Sequence, residues 1–412
     1  MISVLLGLLG TVNVFAQTPE PDKDLVFFKI GVSQGTLIYD PSYADALEMD
    51  FTNNLLTQIG YKTELDETRS LLFLYGLNYQ GPGVRGYSEE GFSARSMDHL
   101  LLAKYINRLS SATEIAYKAD FFYQFYRIGK SETWGEGLYN FGKTGLGVDL
   151  VHGTSPSHSF LTGLELHYFW FPNYNDLMRE ALYMLSNTTT GANLSEDVMN
   201  QDFLQLSFRL GSDWRIDKDT VFKVDNTFLY RNYLGLRIDT EDYSSPPSNN
   251  DKQYDLLNDF SLEFGYFLSD EWLMQIKYNF ALFLSNYNYL VIKNPFPLDY
   301  DYNKNYSSNH AHSLTLPFTY IASSRSSWTF APQIEFKHYF DRQARDKTGA
   351  FTGDTQYNLA YSAMVSWEYK KHENFTIAPH YIFKVAQSNN KDQTTGYNFL
   401  VQYLGVQFIF EY

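Results

Sequence analysis

Seven short turns punctuate this chain, and each separates two runs in which apolar and polar residues alternate. They are TELDETRS (63–70), NRLSSAT (107–113), HGTSPSHS (152–159), RIDKDT (215–220), LSDEW (268–272), ASSRSSW (322–328) and YKKHENF (369–375). Between them lie eight longer segments rich in Asn, Asp, Ser, Pro and Gly. Fifteen connections of alternating length predict about sixteen antiparallel strands, with both chain ends on the short-turn side. The expected class is all-β.

The alternation decides what surrounds those strands. In FLQLSFRLGSDWRI the apolar positions are Leu204, Leu206, Phe208, Leu210, Trp214 and Ile216, and Gln205, Ser207, Arg209, Asp213 and Arg215 fall between them. WLMQIKYNFALFL repeats this from Trp272 to Leu284, and YNLAYSAMVSWEY from Tyr357 to Tyr369. A period of two puts one set on each face of a sheet, so the two faces meet different solvents. The runs exceed the roughly 5 to 6 residues of an ordinary strand, and they are long enough to cross a bilayer at a tilt. In lipid every backbone donor and acceptor must be satisfied within the protein, which leaves strands only the closed barrel. The reading is therefore a transmembrane antiparallel β-barrel. The one unclear strand is MDHLLLAKYI, where apolar residues occupy both parities.

Tryptophan gives an independent check. Trp214, Trp272, Trp328 and Trp367 all lie within a few residues of a short turn and all take the outward parity. Indole favours the membrane interface, so these residues predict an aromatic girdle at the short-turn end.

Composition removes several functions. The chain has no cysteine, hence no disulfide framework, thiolate metal site or thiol nucleophile. A net charge of -15 speaks against nucleic acid, whose binding depends on Lys and Arg neutralising phosphates. The opening MISVLLGLLGTVNVFAQ, with an apolar run too short to span a bilayer and small residues before Gln17, reads as a signal peptide over residues 1–16. No Lys or Arg precedes the run, a departure from the usual pattern. The barrel would then occupy 17–412 as a single domain.

The last residues, QYLGVQFIFEY, place Leu404, Val406, Phe408 and Phe410 on one face and end on Tyr412. With the export segment, the alternating strands and the turn asymmetry, this terminal strand resembles that of bacterial outer-membrane β-barrel proteins, porin-like chains in particular. The family carries a terminal strand with alternating apolar positions and a final aromatic residue, which the barrel-assembly machinery recognises. The resemblance implies residence in the bacterial outer membrane, contact with its lipid, small solutes in the lumen and, as an open alternative, homo-oligomers. It names no subfamily.

A barrel of about sixteen strands encloses an aqueous channel unless a plug fills it. At inward parity stand the cations Lys62, Lys118, Lys143, Arg209, Arg215, Lys223, Arg231, Arg237, Lys277, Lys337 and Lys384. The matching anions are Glu114, Asp120, Asp149, Glu165, Asp213, Asp225, Asp255, Asp259, Glu263, Glu335 and Glu368. The chosen pore-lining candidates are Arg209, Arg231, Arg237, Lys223, Asp255, Asp259, Glu263 and Lys277. Near-balance of sign predicts no strong ion selectivity, which comes from rings of one charge. Arg209, Arg231 and Arg237 could stand as a basic ladder facing Asp255, Asp259 and Glu263, or the same charges could pair across strands and stiffen the wall.

Other chemistry is thinly supported. His310 and His312 share one face of a strand without a clear third ligand, so interfacial histidines are preferred to a metal site. His338 lacks the outward Ser and acid or amide partners that a lipid hydrolase would need. Gly145 and Gly147 read as strand glycines that permit bending. In the segment Pro172–Asn200, Met178, Leu182 and Leu185 follow helical spacing behind an Asn175 cap, either folding into the mouth or lying as a lid. The expected function is a non-enzymatic, cofactor-free channel for passive passage of small solutes. A surface binding or export component acting through its outer loops is the alternative, and a barrel enzyme acting on lipid is a distant third.

Overall fold

Alternation becomes long strands. A computed structural model of the chain describes residues 24–39, 49–82, 95–127, 132–174, 201–237, 252–295, 298–392 and 398–412. The expected signal segment and the helical piece after Asn175 lie outside the described residues.

The first half of the wall consists of β1 (Leu25–Tyr39), β2 (Met49–Glu64), β3 (Arg69–Pro82), β4 (Arg95–Arg108), β5 (Thr113–Arg127), β6 (Phe141–Ser155), β7 (His158–Trp170) and β8 (Phe203–Arg215). It continues through β9 (Thr220–Arg237), β10 (Lys252–Ser269) and β11 (Trp272–Ser285). A separate hairpin, β12 (Tyr289–Pro295) and β13 (Leu298–Asn303), follows in the next long connection. The wall resumes with β14 (Asn309–Thr315), β15 (Phe318–Ser323), β16 (Ser326–Arg345), β17 (Phe351–His372), β18 (Phe375–Ser388) and β19 (Phe399–Glu411).

Segments β14 and β15 both pair with β11 on one side and β16 on the other, so they are two halves of one broken strand. The break falls at Leu316 and Pro317, where proline has no N–H to give the ladder. The chain accommodates it: Leu316 N donates to Pro332 O at 3.0 Å, and Pro317 O accepts from Gln275 N at 2.8 Å. Counted this way the wall has sixteen strands, and all seven short turns fall where the sequence places them. The hairpin β12–β13 was not foreseen, because its Asn- and Tyr-rich sequence resembles the polar loops around it.

Closure is complete. β1 pairs β2 along one edge and β19 along the other, from Phe27 opposite Glu411 to Tyr39 opposite Phe399. Tyr412 N donates to Val26 O at 2.8 Å and Val26 N to Tyr412 O at 2.6 Å, which ties the start of β1 to the residue that follows β19. A barrel without edges leaves no unpaired strand for another chain to extend. The aromatic terminus is therefore part of the seam, with Phe28 packed on Phe410 at 5.9 Å between ring centroids and Phe375 stacked on Phe410 at 4.6 Å.

The outward set meets lipid. Leu146, Leu166, Leu206, Leu256 and Leu404 are exposed at alternate positions of their strands. Near the short turns Trp272, Tyr320, Trp328 and Trp367 stand opposite one another on successive strands. Trp272 packs on Tyr320 at 4.9 Å and Trp328 stacks on Trp367 at 5.6 Å, while Trp214 lies between His158 and Phe222 at 5.1 and 5.3 Å. This is the girdle expected from the sequence.

The turns are built locally. Asp66 takes the Thr68 N–H at 2.9 Å and the Thr68 hydroxyl at 2.8 Å, and pairs with Arg69. The hydrogen bond from Arg69, joined by those from Thr68, holds its carboxyl well below the usual carboxylate range.

Candidate functional site

The concave face is identified by side chains that reach over a whole strand. Lys118 on β5 pairs with Glu165 on β7 across β6, and also holds Asp149 at 3.0 Å. Lys384 on β18 reaches Glu335 on β16 at 2.6 Å across β17. Such contacts between next-nearest strands form only where the sheet curves toward them.

Glycine makes the crossing possible. In the register Lys118 faces Gly147, which faces Glu165, and Asp120 faces Gly145, which faces His167. A Cβ at Gly145 would stand 2.0 Å from the His167 ring, and one at Gly147 would stand 2.8 Å from Glu165 Cγ. Gly163 and Gly211 likewise leave room for Asp149 and Asp225, whose oxygens would be 2.6 and 2.9 Å from such a Cβ. The function of Gly145 and Gly147 is thus more specific than strand bending. They let long side chains lie flat on the wall and keep the middle clear.

The result on β5 to β7 is a compact charged cluster. Lys143 binds Asp120 at 2.9 Å, and His167 Nε2 meets the other Asp120 oxygen at 2.8 Å. Parity alone identified Lys118, Asp120, Lys143, Asp149 and Glu165 as inward residues, without joining them. His167 was missed, although the alternate glycines at 145 and 147 were the signal that its neighbours would share one surface.

The chosen candidates divide into local pairs. Arg209 binds Asp225 at 2.7 Å. Arg231 lies 3.8 Å from Asp255, donates from Nε to Gln205 Oε1 at 2.9 Å and covers the Phe203 ring at 5.3 Å. Asp255 is almost wholly buried and also accepts from the Tyr233 hydroxyl at 2.9 Å. Lys277 stands 3.5 Å from Glu263, which accepts from Gln275 Nε2 at 3.1 Å. Lys223 is opposite Asp213 on β8 and Glu263 on β10. Asp259 lies opposite Thr227 and Ala281 and is within 4 Å of no described cation. The side chain of Arg237 is outside the described residues. In place of a basic ladder facing an acidic one, Arg209, Arg231 and Lys277 turn toward acids on adjoining strands, because pairing at a few ångströms outweighs an ordered field across water.

These side chains bound a cavity of about 760 Å³, lined at mid-height by Glu165, Ser207, Arg209, Asp225, Asp259, Asn279, Gln333 and Glu335 among others. Its lining runs from β7 to β16, which no outer groove could join. Nearer the short turns Asp213, Lys223, Glu263, Gln275 and Thr319 line a second cavity of about 420 Å³.

The histidines of the outer face have ordinary partners. His312 Nδ1 is 2.8 Å from the Tyr278 hydroxyl and His338 Nε2 is 2.9 Å from Thr355 Oγ1. His310 packs between them, 5.3 and 5.4 Å from their ring centroids.

A closed antiparallel barrel with lipid-facing alternate residues, an aromatic girdle and a polar interior leaves one assignment. The fold is that of an outer-membrane β-barrel. It places the chain as an integral protein of a bacterial outer membrane. Superposition on one solved structure, that of CdiB, agrees on the fold, and two further structures superpose less closely. CdiB from Acinetobacter baumannii superposes with a TM-score of 0.50 at 8% identity, over 94% of this chain and 60% of CdiB. OccAB4 of Acinetobacter baumannii gives 0.45 at 9% identity over 96% of this chain and 100% of its own. A monoaromatic hydrocarbon channel, TodX, gives 0.43 at 10% identity over 95% and 90% of the two chains. No protein-family model and no curated protein matches the sequence. At these identities the likeness concerns architecture alone.

Proposed function

We propose that this barrel is a channel through which small polar solutes diffuse, sorted by size and by local charge on the wall. The observation that supports this reading is the mid-height cavity of about 760 Å³, bounded by both signs of charge and by neutral hydrogen-bonding groups. Mixed linings let a solute exchange water for wall contacts without being held by a single strong site. No covalent step is required.

The lining is not neutral. Glu165, Asp225 and Glu335 pair with Lys118, Arg209 and Lys384, but Lys118 is shared with Asp149, and Asp259 has only the more distant Arg231, which is shared with Asp255. The channel should therefore prefer cations weakly. Purified protein in a planar bilayer is expected to give a steady ohmic current with a reversal potential slightly on the cation side in a salt gradient. Arg209→Glu should shift that potential further toward cations, because it removes a lining charge and frees Asp225. A persistently closed barrel would rule out the channel, and an unchanged potential would remove Arg209 from the permeation path.

A second reading, surface binding through the long connections, draws on the hairpin β12–β13 and on the length of β16 and β17, which have 20 and 22 residues. Loss of a bound surface partner on deletion of residues 289–303, with current retained, would favour it.

A further inference from the structure

The lumen has two unlike walls. The arc from β5 to β16 carries the ion pairs described above, while on β2 to β4 the inward positions at mid-height are mostly leucine and glycine, with Gln58 among them. The register fixes their direction: Leu74 is opposite Gly60 and Leu102, Leu102 is opposite Asp120, and Leu100 is opposite Gly76 and Phe122. Leu56 and Leu72 share this face, opposite Asn78 and Lys104. All five are half-buried and leave part of their surface toward the interior. The outward parity of the same strands is apolar too, through Phe73, Leu101 and Ile59. Lipid accounts for the outer set and has no bearing on the inner one.

An apolar wall in a water-lined passage favours an apolar body that covers it, since covering each leucine removes apolar surface from water. The opposite arc supplies the complementary preference. At mid-height the carboxylate Asp259 has no described cation within 4 Å; Arg231 acts on it from farther away and is engaged at closer range by Asp255 and Gln205. We infer that the lumen takes amphipathic organic cations, their apolar body along Leu56, Leu74, Leu100 and Leu102 and their positive group drawn toward the Asp259 side. This rests on the channel reading and narrows it to a solute class.

The test is block of the open-channel current in a planar bilayer by octyltrimethylammonium, with tetramethylammonium and octyl sulfonate as the two comparisons. The octyl cation should half-block at a concentration at least about tenfold below that of tetramethylammonium, the worth of one buried leucine-sized contact. It should also block at a lower concentration than octyl sulfonate. Leu74→Gln with Leu102→Gln should raise the half-blocking concentration of the octyl cation about tenfold, and Asp259→Asn should narrow the difference between cation and sulfonate. Retention of the open-channel current in each variant shows that its barrel is intact. Equal block by the octyl and methyl cations, or a block untouched by the leucine changes, as when another part of the chain already covers the leucines, overturns the inference and leaves the channel standing. Absence of any current overturns both.

Discussion

Leu146→Arg is expected to lower the unfolding free energy of the barrel by about 2–4 kcal/mol, the cost of an arginine facing lipid near the bilayer midplane. Leu146, near the centre of β6, is the most exposed leucine among the described residues of the wall, 70% accessible. Its partners on the neighbouring strands are Ala119 and Leu166, neither of which can pair with a guanidinium. Asn279→Arg provides the contrast. Asn279 lines the mid-height cavity on β11, so its arginine would be hydrated and should change ion preference with little effect on stability. Equilibrium unfolding in denaturant, with the protein in lipid vesicles, measures both. Equal destabilisation would mean that the two parities do not face different solvents.

Lys118→Met should cost about 3 kcal/mol, because removing one member of a buried charged group leaves the others uncompensated. The side chains of Lys118 and Asp149 are 18% and 9% exposed, and both acids that Lys118 serves would lose their cation together. Adding Asp149→Asn and Glu165→Gln to Lys118→Met should recover most of the loss, since the triple variant has no stranded charge. The same vesicle unfolding assay reads the series. A single substitution as mild as the triple would show that lumen water screens the cluster and that the crossing over Gly147 carries little energy.

The architecture was legible because lipid and water impose one rule on every strand. Turn positions, strand number, the tryptophan girdle and the alternating faces of QYLGVQFIFEY all follow from a period of two and a closed ladder. The inward face was legible only as parity. Which acid each cation meets depends on the neighbouring strands, and Arg209 with Asp225 is a contact between residues sixteen apart in sequence. His167 and Asp120 are forty-seven apart and meet over a glycine of a third strand. The ambiguity at MDHLLLAKYI also has a physical cause. Its inward Leu100 and Leu102 belong to an apolar stretch of the lumen, so the expectation of polar-in and apolar-out fails there.

The most direct measurement uses the absence of native cysteine. Single cysteines at Leu206, Ser207, Phe208 and Arg209 sample both parities of β8, and a charged methanethiosulfonate added from the aqueous side reports access through the lumen. Cysteines at 207 and 209 should react within seconds to minutes and reduce the single-channel current, while those at 206 and 208 should leave it unchanged. Equal reaction at all four positions, or modification at 207 and 209 without any change in current, would contradict a water-lined passage through this barrel.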